Sequence, residues 1–222
     1  MDKRELRDLL YEQVARIGKA LASPKRLELL EMLAQGEKSV EVLATELSVD
    51  VKLVSAHLKA LKGARLVTRR REGKFIHYRL TGQDVAGLWV NLREVAGEHL
   101  LELRMALDAM VSNPNQLASV GRQALMEKAR RGAVVVIDVR PQAEYDVAHL
   151  PYARSMPVAE IEKRLAELPR DKEIVAYCRG PFCLFSDEAV RLLQARGYLA
   201  RKVLDGVSEW QAAGLPVVAS PN

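Results

Sequence analysis

At Ser112-Asn113-Pro114-Asn115-Gln116 the chain changes the period of its apolar residues. Before this polar, proline-containing stretch the apolar residues recur with helical spacing. After it, short β-branched runs alternate with helical segments. No single sheet or bundle accommodates both patterns, and 222 residues suffice for two modest cores. The break therefore predicts two domains, 1–111 and 117–222, joined by a linker at 112–116.

The first half reads as helices and one hairpin. Leu6, Leu9, Leu10, Val14, Ile17 and Leu21 recur with helical period over residues 4–21. Ser23-Pro24 is an N-cap followed by proline at the first helical position, opening a helix that runs to about Ala34 and stops at Gly36. Ser39 caps a short helix, Val40 to Leu47, and Ser48-Val49-Asp50 turns the chain into a third, Val51 to Lys62. In that third helix Val51, Val54, Leu58 and Leu61 form one stripe expected to be buried, while Lys52, Ser55, Lys59 and Lys62 form a small, basic one. A short helix, a tight turn and a second helix with a basic exposed stripe is a helix-turn-helix, whose second helix enters the DNA major groove. Residues 66–80 then read as two strands joined at Glu72-Gly73-Lys74, a wing with basic residues at its tip. Lys52, Ser55 and Lys59 on the helix, with Arg69, Arg71 and Lys74 on the wing, are the candidate DNA contacts. Between Asp50 and Arg79 there are nine basic residues against two acids, a local balance of +7 where the whole chain carries +5. Such a concentrated block is an electrostatic footprint for nucleic acid. Asp84 to Met110 reads as one long helix, too apolar for so small a domain to cover. It is expected to pair with its own copy and with the first helix, giving a homodimer; the alternative is that it packs only on the second domain.

The second half predicts an α/β domain with a mostly parallel sheet. A helix over Ser119 to Arg131 precedes the buried strand Val134 to Ile137. A helix near Val158 to Leu168, the strand Ile174 to Tyr177, the helix Leu184 to Arg196, a strand around Lys202-Val203-Leu204 and the helix Val207 to Ala213 follow. The only two cysteines, Cys178 and Cys183, stand in one loop after the strand that ends at Tyr177. In parallel sheets ligands bind at the carboxyl ends of the strands. A cysteine there, facing the amino end of a helix, is favoured as thiolate, the reactive form.

Two resemblances are specific. Ser23-Pro24-Lys25-Arg26-Leu27, Val54-Ser55-Ala56-His57-Leu58-Lys59-Ala60-Leu61, Gly63-Ala64-Arg65-Leu66-Val67 and Arg70-Arg71-Glu72-Gly73-Lys74 with Tyr78-Arg79-Leu80 together resemble an ArsR/SmtB-type winged-helix repressor. The resemblance covers roughly residues 8–105. It implies a homodimer that binds a palindromic, double-stranded operator and releases it on sensing a ligand. The thiolate metal sites of that family have no counterpart here, since the helix Val40 to Leu47 holds no cysteine. A metal site normally needs three or four convergent ligands, and the sequence predicts neither metal nor cofactor.

Ile137-Asp138-Val139-Arg140, Glu144-Tyr145, His149-Leu150-Pro151-Tyr152-Ala153, the cysteine loop, Gly197-Tyr198 and Leu204-Asp205-Gly206-Val207-Ser208-Glu209-Trp210 resemble a single-domain rhodanese over about residues 117–219. The resemblance implies that Cys178 is the nucleophile and carries a persulfide, with Arg179, Gly180, Pro181, Phe182 and Cys183 as its cradle. Backbone N–H groups curled round the sulfur would form an anion nest, with Arg179 adding a cation at the rim. Asp138 and Arg140 are expected to brace the loop by hydrogen bonds. Many members end this loop on a basic residue, where this chain has Cys183. Cys183 is therefore either a thiol that resolves a persulfide on Cys178 or a small apolar residue starting its helix.

No run of eighteen apolar residues and no secretory leader is present, so no membrane partner is expected and the compartment is taken as the reducing cytoplasm. The expected protein is a DNA-binding regulator whose rhodanese domain senses or transfers sulfane sulfur from a small donor: thiosulfate, a polysulfide or a persulfide. The alternative is a sulfurtransferase enzyme whose winged helix serves localisation or dimerisation.

Overall fold

A computed structural model describes residues 2–111 and 116–220. Most of the expected linker, 112–115, lies outside the described residues. The chain forms two compact units, 1–89 and 90–222, divided after Trp89.

The first unit is a helical core with a hairpin. Its elements are α1 (Lys3–Leu21), α2 (Pro24–Ala34), β1 (Lys38–Ser39), α3 (Val40–Leu47), α4 (Val51–Gly63), β2 (Val67–Glu72), β3 (Phe75–Leu80) and the start of α5 (Gln83–His99). Ser39 caps α3 by accepting the Val42 N–H at 3.2 Å, and Asp50 caps α4 by accepting that of Lys52 at 2.8 Å. Between them Ser48 takes a left-handed conformation, φ 52°, which turns α3 into α4. Leu29, Leu30, Leu33, Leu43, Leu58 and Leu61 pack into one core, which α5 joins through Val85. The strands form an antiparallel sheet in the order β1-β3-β2.

The expected helix from Asp84 to Met110 is two helices. α5 ends at His99, Leu100 is extended at φ −102°, ψ 107°, and α6 runs Leu101–Met110. The break has a local partner: the Arg104 guanidinium donates to the Glu98 carbonyl at 2.6 Å, satisfying a carbonyl that the end of α5 leaves open.

The second unit contains the later part of α5, α6, and then α7 (Arg122–Arg130), β4 (Val134–Asp138), α8 (Gln142–Val147), β5 (Arg154–Ser155), α9 (Ile161–Arg164), β6 (Glu173–Tyr177), α10 (Phe185–Ala195), β7 (Ala200–Lys202) and α11 (Val207–Ala212). The sheet is parallel throughout, in the order β5-β4-β6-β7. Apolar side chains pack on both its faces. Ile137, Ile174 and Ala176 meet Ala189, Val190 and Leu193 of α10 on one, and Val134, Val136, Val175 and Tyr177 meet Leu125 and Trp210 on the other. The helix expected over Val158 to Leu168 is short 3₁₀ turns around α9, and the last strand lies two residues earlier than expected. Gln116, placed in the linker by sequence, is buried and donates to Gln194 of α10 at 3.3 Å. Among the described residues no helix is long and apolar enough to cross a membrane.

Candidate functional site

β6 is an inner strand of the parallel sheet, so its carboxyl end is enclosed by its neighbours. Cys178 follows directly and is 2% exposed. From there the loop runs through Gly180, whose φ of 145° only glycine adopts without strain, to α10. The Cys183 N–H donates to the Gly180 carbonyl at 3.1 Å, closing a turn that brings Cys183 back towards Cys178. The two cysteines are joined as a disulfide, with Cα atoms 6.3 Å apart.

This geometry revises two details of the cradle. The Cys183 N–H is used in the Gly180 turn, so it is not one of the donors curled round the Cys178 sulfur. Arg179, expected at the rim as a cation, is instead folded onto Glu144. Its Nε and Nη2 donate to the two carboxylate oxygens at 3.0 and 2.5 Å, in a pair 10% and 3% exposed. Phe182 and Pro181 are partly exposed on the loop.

Asp138 and Arg140 act beneath the loop. Asp138, at the end of β4, accepts from the Arg140 backbone N–H at 3.0 Å and from its Nε and Nη2 at 2.9 and 2.5 Å. The Tyr177 hydroxyl donates to the same carboxylate at 2.5 Å and accepts from the Leu150 N–H at 3.0 Å. Arg140 also donates to the Ala148 carbonyl at 2.7 Å. The brace thus grips Tyr177, the residue before Cys178, and the 148–150 turn. Burial, with the nearby Asp138 charge, pushes the Tyr177 phenol well above its usual pKa, keeping it a neutral donor. His149 sits in the same turn, stacked on Tyr145 and bonded through Nδ1 to its carbonyl at 2.9 Å.

Sequence reasoning counted Glu144 and Glu209 among the rhodanese-like motifs and Tyr177 as a strand end, but gave none of them a role at the site, and it missed Arg93. Glu209 accepts the Gly206 N–H at 2.6 Å and Arg93 Nη2 at 2.5 Å. Gly206 packs against the Cys178 and Arg179 carbonyls so closely that a Cβ would overlap them. The signal of the two acids is burial, which the sequence does not carry: Glu144 and Glu209 are both 2% exposed, a burial that acids reach only when paired.

The candidate DNA surface lies on α4 and the β2–β3 wing. Val54, Leu58 and Leu61 are fully buried, whereas Val51, expected in their stripe, is 44% exposed at the helix start. Lys52, Ser55 and Lys59 are all exposed on α4. On β2, strand alternation separates Arg69 and Arg71 from Arg70. Arg70 is held by Glu37 and Glu72, each at 2.6 Å. Arg69, Arg71 and Lys74 are exposed, with Arg71 Nε on the Gly73 carbonyl at 3.0 Å.

The chain matches two family models: a bacterial regulatory protein of the arsR family over residues 23–69 and a rhodanese-like domain over residues 122–213. The HTH-type transcriptional regulator Rv0324 of Mycobacterium tuberculosis is 44% identical over 94% of this chain and 91% of its own length. A sulfurtransferase of Allochromatium vinosum is 35% identical over 39% of this chain and 79% of that protein. Among solved structures, the homodimeric winged helix-turn-helix DNA-binding domain Mb0332 from Mycobacterium bovis is 46% identical, with a TM-score of 0.42, covering 46% of this chain and 93% of that one. The alignment with that regulator spans both matched regions of this chain, and the chain belongs to the arsR family of bacterial regulatory proteins as a transcriptional regulator with a rhodanese-like domain.

Proposed function

We propose that this regulator senses sulfane sulfur through Cys178. The observation that carries the reading is the pairing of Cys178, at the carboxyl end of an inner strand, with Cys183 at a Cα distance of 6.3 Å. In the first step the Cys178 thiolate attacks the outer sulfur of a persulfide donor, RS–SH. The S–S bond breaks, RS⁻ leaves, and Cys178 becomes Cys178–S–SH. In the second step the Cys183 thiolate attacks the inner sulfur of that persulfide and hydrosulfide leaves. The two thiols are oxidised to a disulfide while the sulfane sulfur is reduced to sulfide, so the donor itself is the oxidant. Glu144 neutralises Arg179, and the loop ends on Cys183 where a cation is common, which favours a persulfide or polysulfide over dianionic thiosulfate.

Operator DNA is read by Lys52, Ser55 and Lys59 in the major groove, while Arg69, Arg71 and Lys74 reach phosphate or the minor groove. The working form is a cytoplasmic homodimer. Its support is exposed apolar surface on the helices expected to pair: Leu6, Leu10 and Val14 on α1, and Leu92 and Val95 on α5.

Operator binding by reduced, persulfidated and disulfide-linked protein, side by side with Cys178→Ser, tests the reading. Sulfur donors are expected to change the affinity of the wild type and leave the variant unmoved. Equal response in both would overturn it. The likeness to a sulfurtransferase over 79% of that protein favours a second reading, catalytic transfer. Turnover with a donor and cyanide, without any effect on DNA binding, would select it.

A further inference from the structure

The later half of α5 carries an arginine where a surface helix would place an apolar residue. Val90 and Arg93 are its only buried positions among the residues from 90 to 99, at 1% and 6% exposure. Arg93 pairs with Glu209, the two side chains 5% and 2% exposed, with Nη2 donating to Oε1 at 2.5 Å. Its guanidinium carbon also lies 5.5 Å from the centre of the Phe182 ring. A Cβ on Gly180 would stand 3.1 Å from Glu209 Oε1 and 3.2 Å from Arg93 Nη1, so the bare backbone of Gly180 is what lets the loop rest on the pair. The second carboxylate oxygen of Glu209 holds Gly206, whose backbone packs under Cys178 and Arg179. Gly180 and Phe182 both lie between the two cysteines, inside the ring that the disulfide closes.

We propose that Arg93 is a positioning residue for the cysteine ring, and that through it the sulfur state of the ring is linked to α5. With the ring closed, Gly180 and Phe182 are held on the Arg93–Glu209 pair. When the ring opens, or Cys178 gains a sulfur, that seat is lost and the surroundings of Arg93 change with it. Linkage makes the effect reciprocal: if ring closure favours the seated arginine, the seated arginine favours ring closure by the same factor. The proposal rests on the sulfur-sensing reading for the role of the ring, but its equilibrium is measured without DNA.

The test equilibrates full-length wild type, Arg93→Ala, Arg93→Lys and Val90→Ala in glutathione buffers of graded potential, counting free thiols by mass-tagged alkylation. Arg93→Ala should make the disulfide easier to reduce, by about tenfold in the equilibrium constant, or about 30 mV for this two-electron couple. Arg93→Lys should recover part of the shift. Val90→Ala, one helical turn before Arg93 and likewise buried, should lower thermal stability without moving the potential. Should Arg93→Ala fail to fold because Glu209 is left as an uncompensated buried charge, Arg93→Met combined with Glu209→Gln is read in its place and is expected to shift equally. A wild-type potential in the folded variant, or the same shift in Val90→Ala, overturns the proposal. A shifted potential in a protein whose operator affinity ignores sulfur donors upholds Arg93 and sinks the sensing reading instead.

Discussion

Arg179 and Glu144 form a two-pronged pair, Nε to Oε2 at 3.0 Å and Nη2 to Oε1 at 2.5 Å, which turns the loop's cation onto the protein's own carboxylate. A bidentate pair of this kind is shorter and stronger than a neutral hydrogen bond, and an incoming dianion must compete with it. Thiosulfate is therefore expected to be a poor sulfur donor for the wild type, and an organic persulfide a better one. Cys183→Arg places a cation at the end of the loop that no carboxylate already holds. It should lower the thiosulfate KM by roughly tenfold, on the scale of one charge-assisted hydrogen bond, and have a smaller effect on an organic persulfide, whose sulfane group carries at most one negative charge. Steady-state transfer to cyanide with each donor measures this. A wild-type KM for thiosulfate equal to that of the variant would show that charge at the loop does not limit donor choice.

The wing separates its arginines by the partners they hold. Arg70 is held between Glu37 and Glu72, which hold its guanidinium above its ordinary pKa and the Glu72 carboxyl below its own through their mutual hydrogen bonds. Arg69 and Arg71 face the other side of the strand. Arg71→Ala, Lys52→Ala and Lys59→Ala should each weaken operator binding and flatten the plot of log affinity against log salt by about one unit for each phosphate no longer neutralised. Arg70→Ala should leave that slope near the wild-type value. Titrations at several salt concentrations decide it, and a slope change in Arg70→Ala as large as that in Arg71→Ala would refute the division.

Helix ends were legible in the sequence where a side chain or proline sets them locally. Ser23-Pro24 and Ser39 mark the starts of α2 and α3, and both helices have the expected bounds. The domain order, the parallel sheet and the position of Cys178 also followed from local pattern. The break at Leu100 did not, because residues 98–103 hold neither glycine nor proline and Arg104 supplies the capping bonds from the next helix. α7 starts later than its apolar period suggested because the backbone before it is engaged elsewhere: the Ala118 N–H donates to the Lys202 carbonyl at 2.8 Å. The pairings Arg179–Glu144 and Arg93–Glu209 span 35 and 116 residues, and no periodicity encodes such partners. For that reason the loop looked like an open cationic cradle in sequence, whereas in the structure its charges are largely satisfied from behind.

α1 presents Leu6, Leu10 and Val14 one turn apart on a single face, 44%, 60% and 70% exposed. If this face joins the homodimer interface, Val14→Asp should convert the protein to monomers. The folded content of each chain should stay unchanged, since a surface substitution typically alters stability by no more than about 0.5 kcal/mol. Sedimentation velocity and far-UV circular dichroism measure the two quantities separately. Operator affinity should fall with the dimer, because two half-sites then bind independently. A Val14→Asp protein that remains dimeric would move the interface off α1.

Asp138 is the node below the cysteine, fully buried and shared by Arg140 and Tyr177. Asp138→Asn keeps its shape but leaves the Arg140 charge, 1% exposed, without its counter-ion. Breaking a buried pair in this way is expected to cost about 3–5 kcal/mol of stability. Tyr177→Phe removes one hydroxyl and leaves the Leu150 N–H and one Asp138 oxygen each short of a partner, at about 1–3 kcal/mol. The same order should appear at the cysteine, because Tyr177 is its neighbour in the chain and Cys178 is buried in the native state. In the reduced protein, alkylation of Cys178 must wait for local opening, and a weaker brace makes opening more frequent. Asp138→Asn should therefore be alkylated fastest, Tyr177→Phe next and wild type slowest, with denaturant unfolding giving the same ranking. If Asp138→Asn lost stability while Cys178 kept its wild-type alkylation rate, the brace would serve the domain core and not the cysteine.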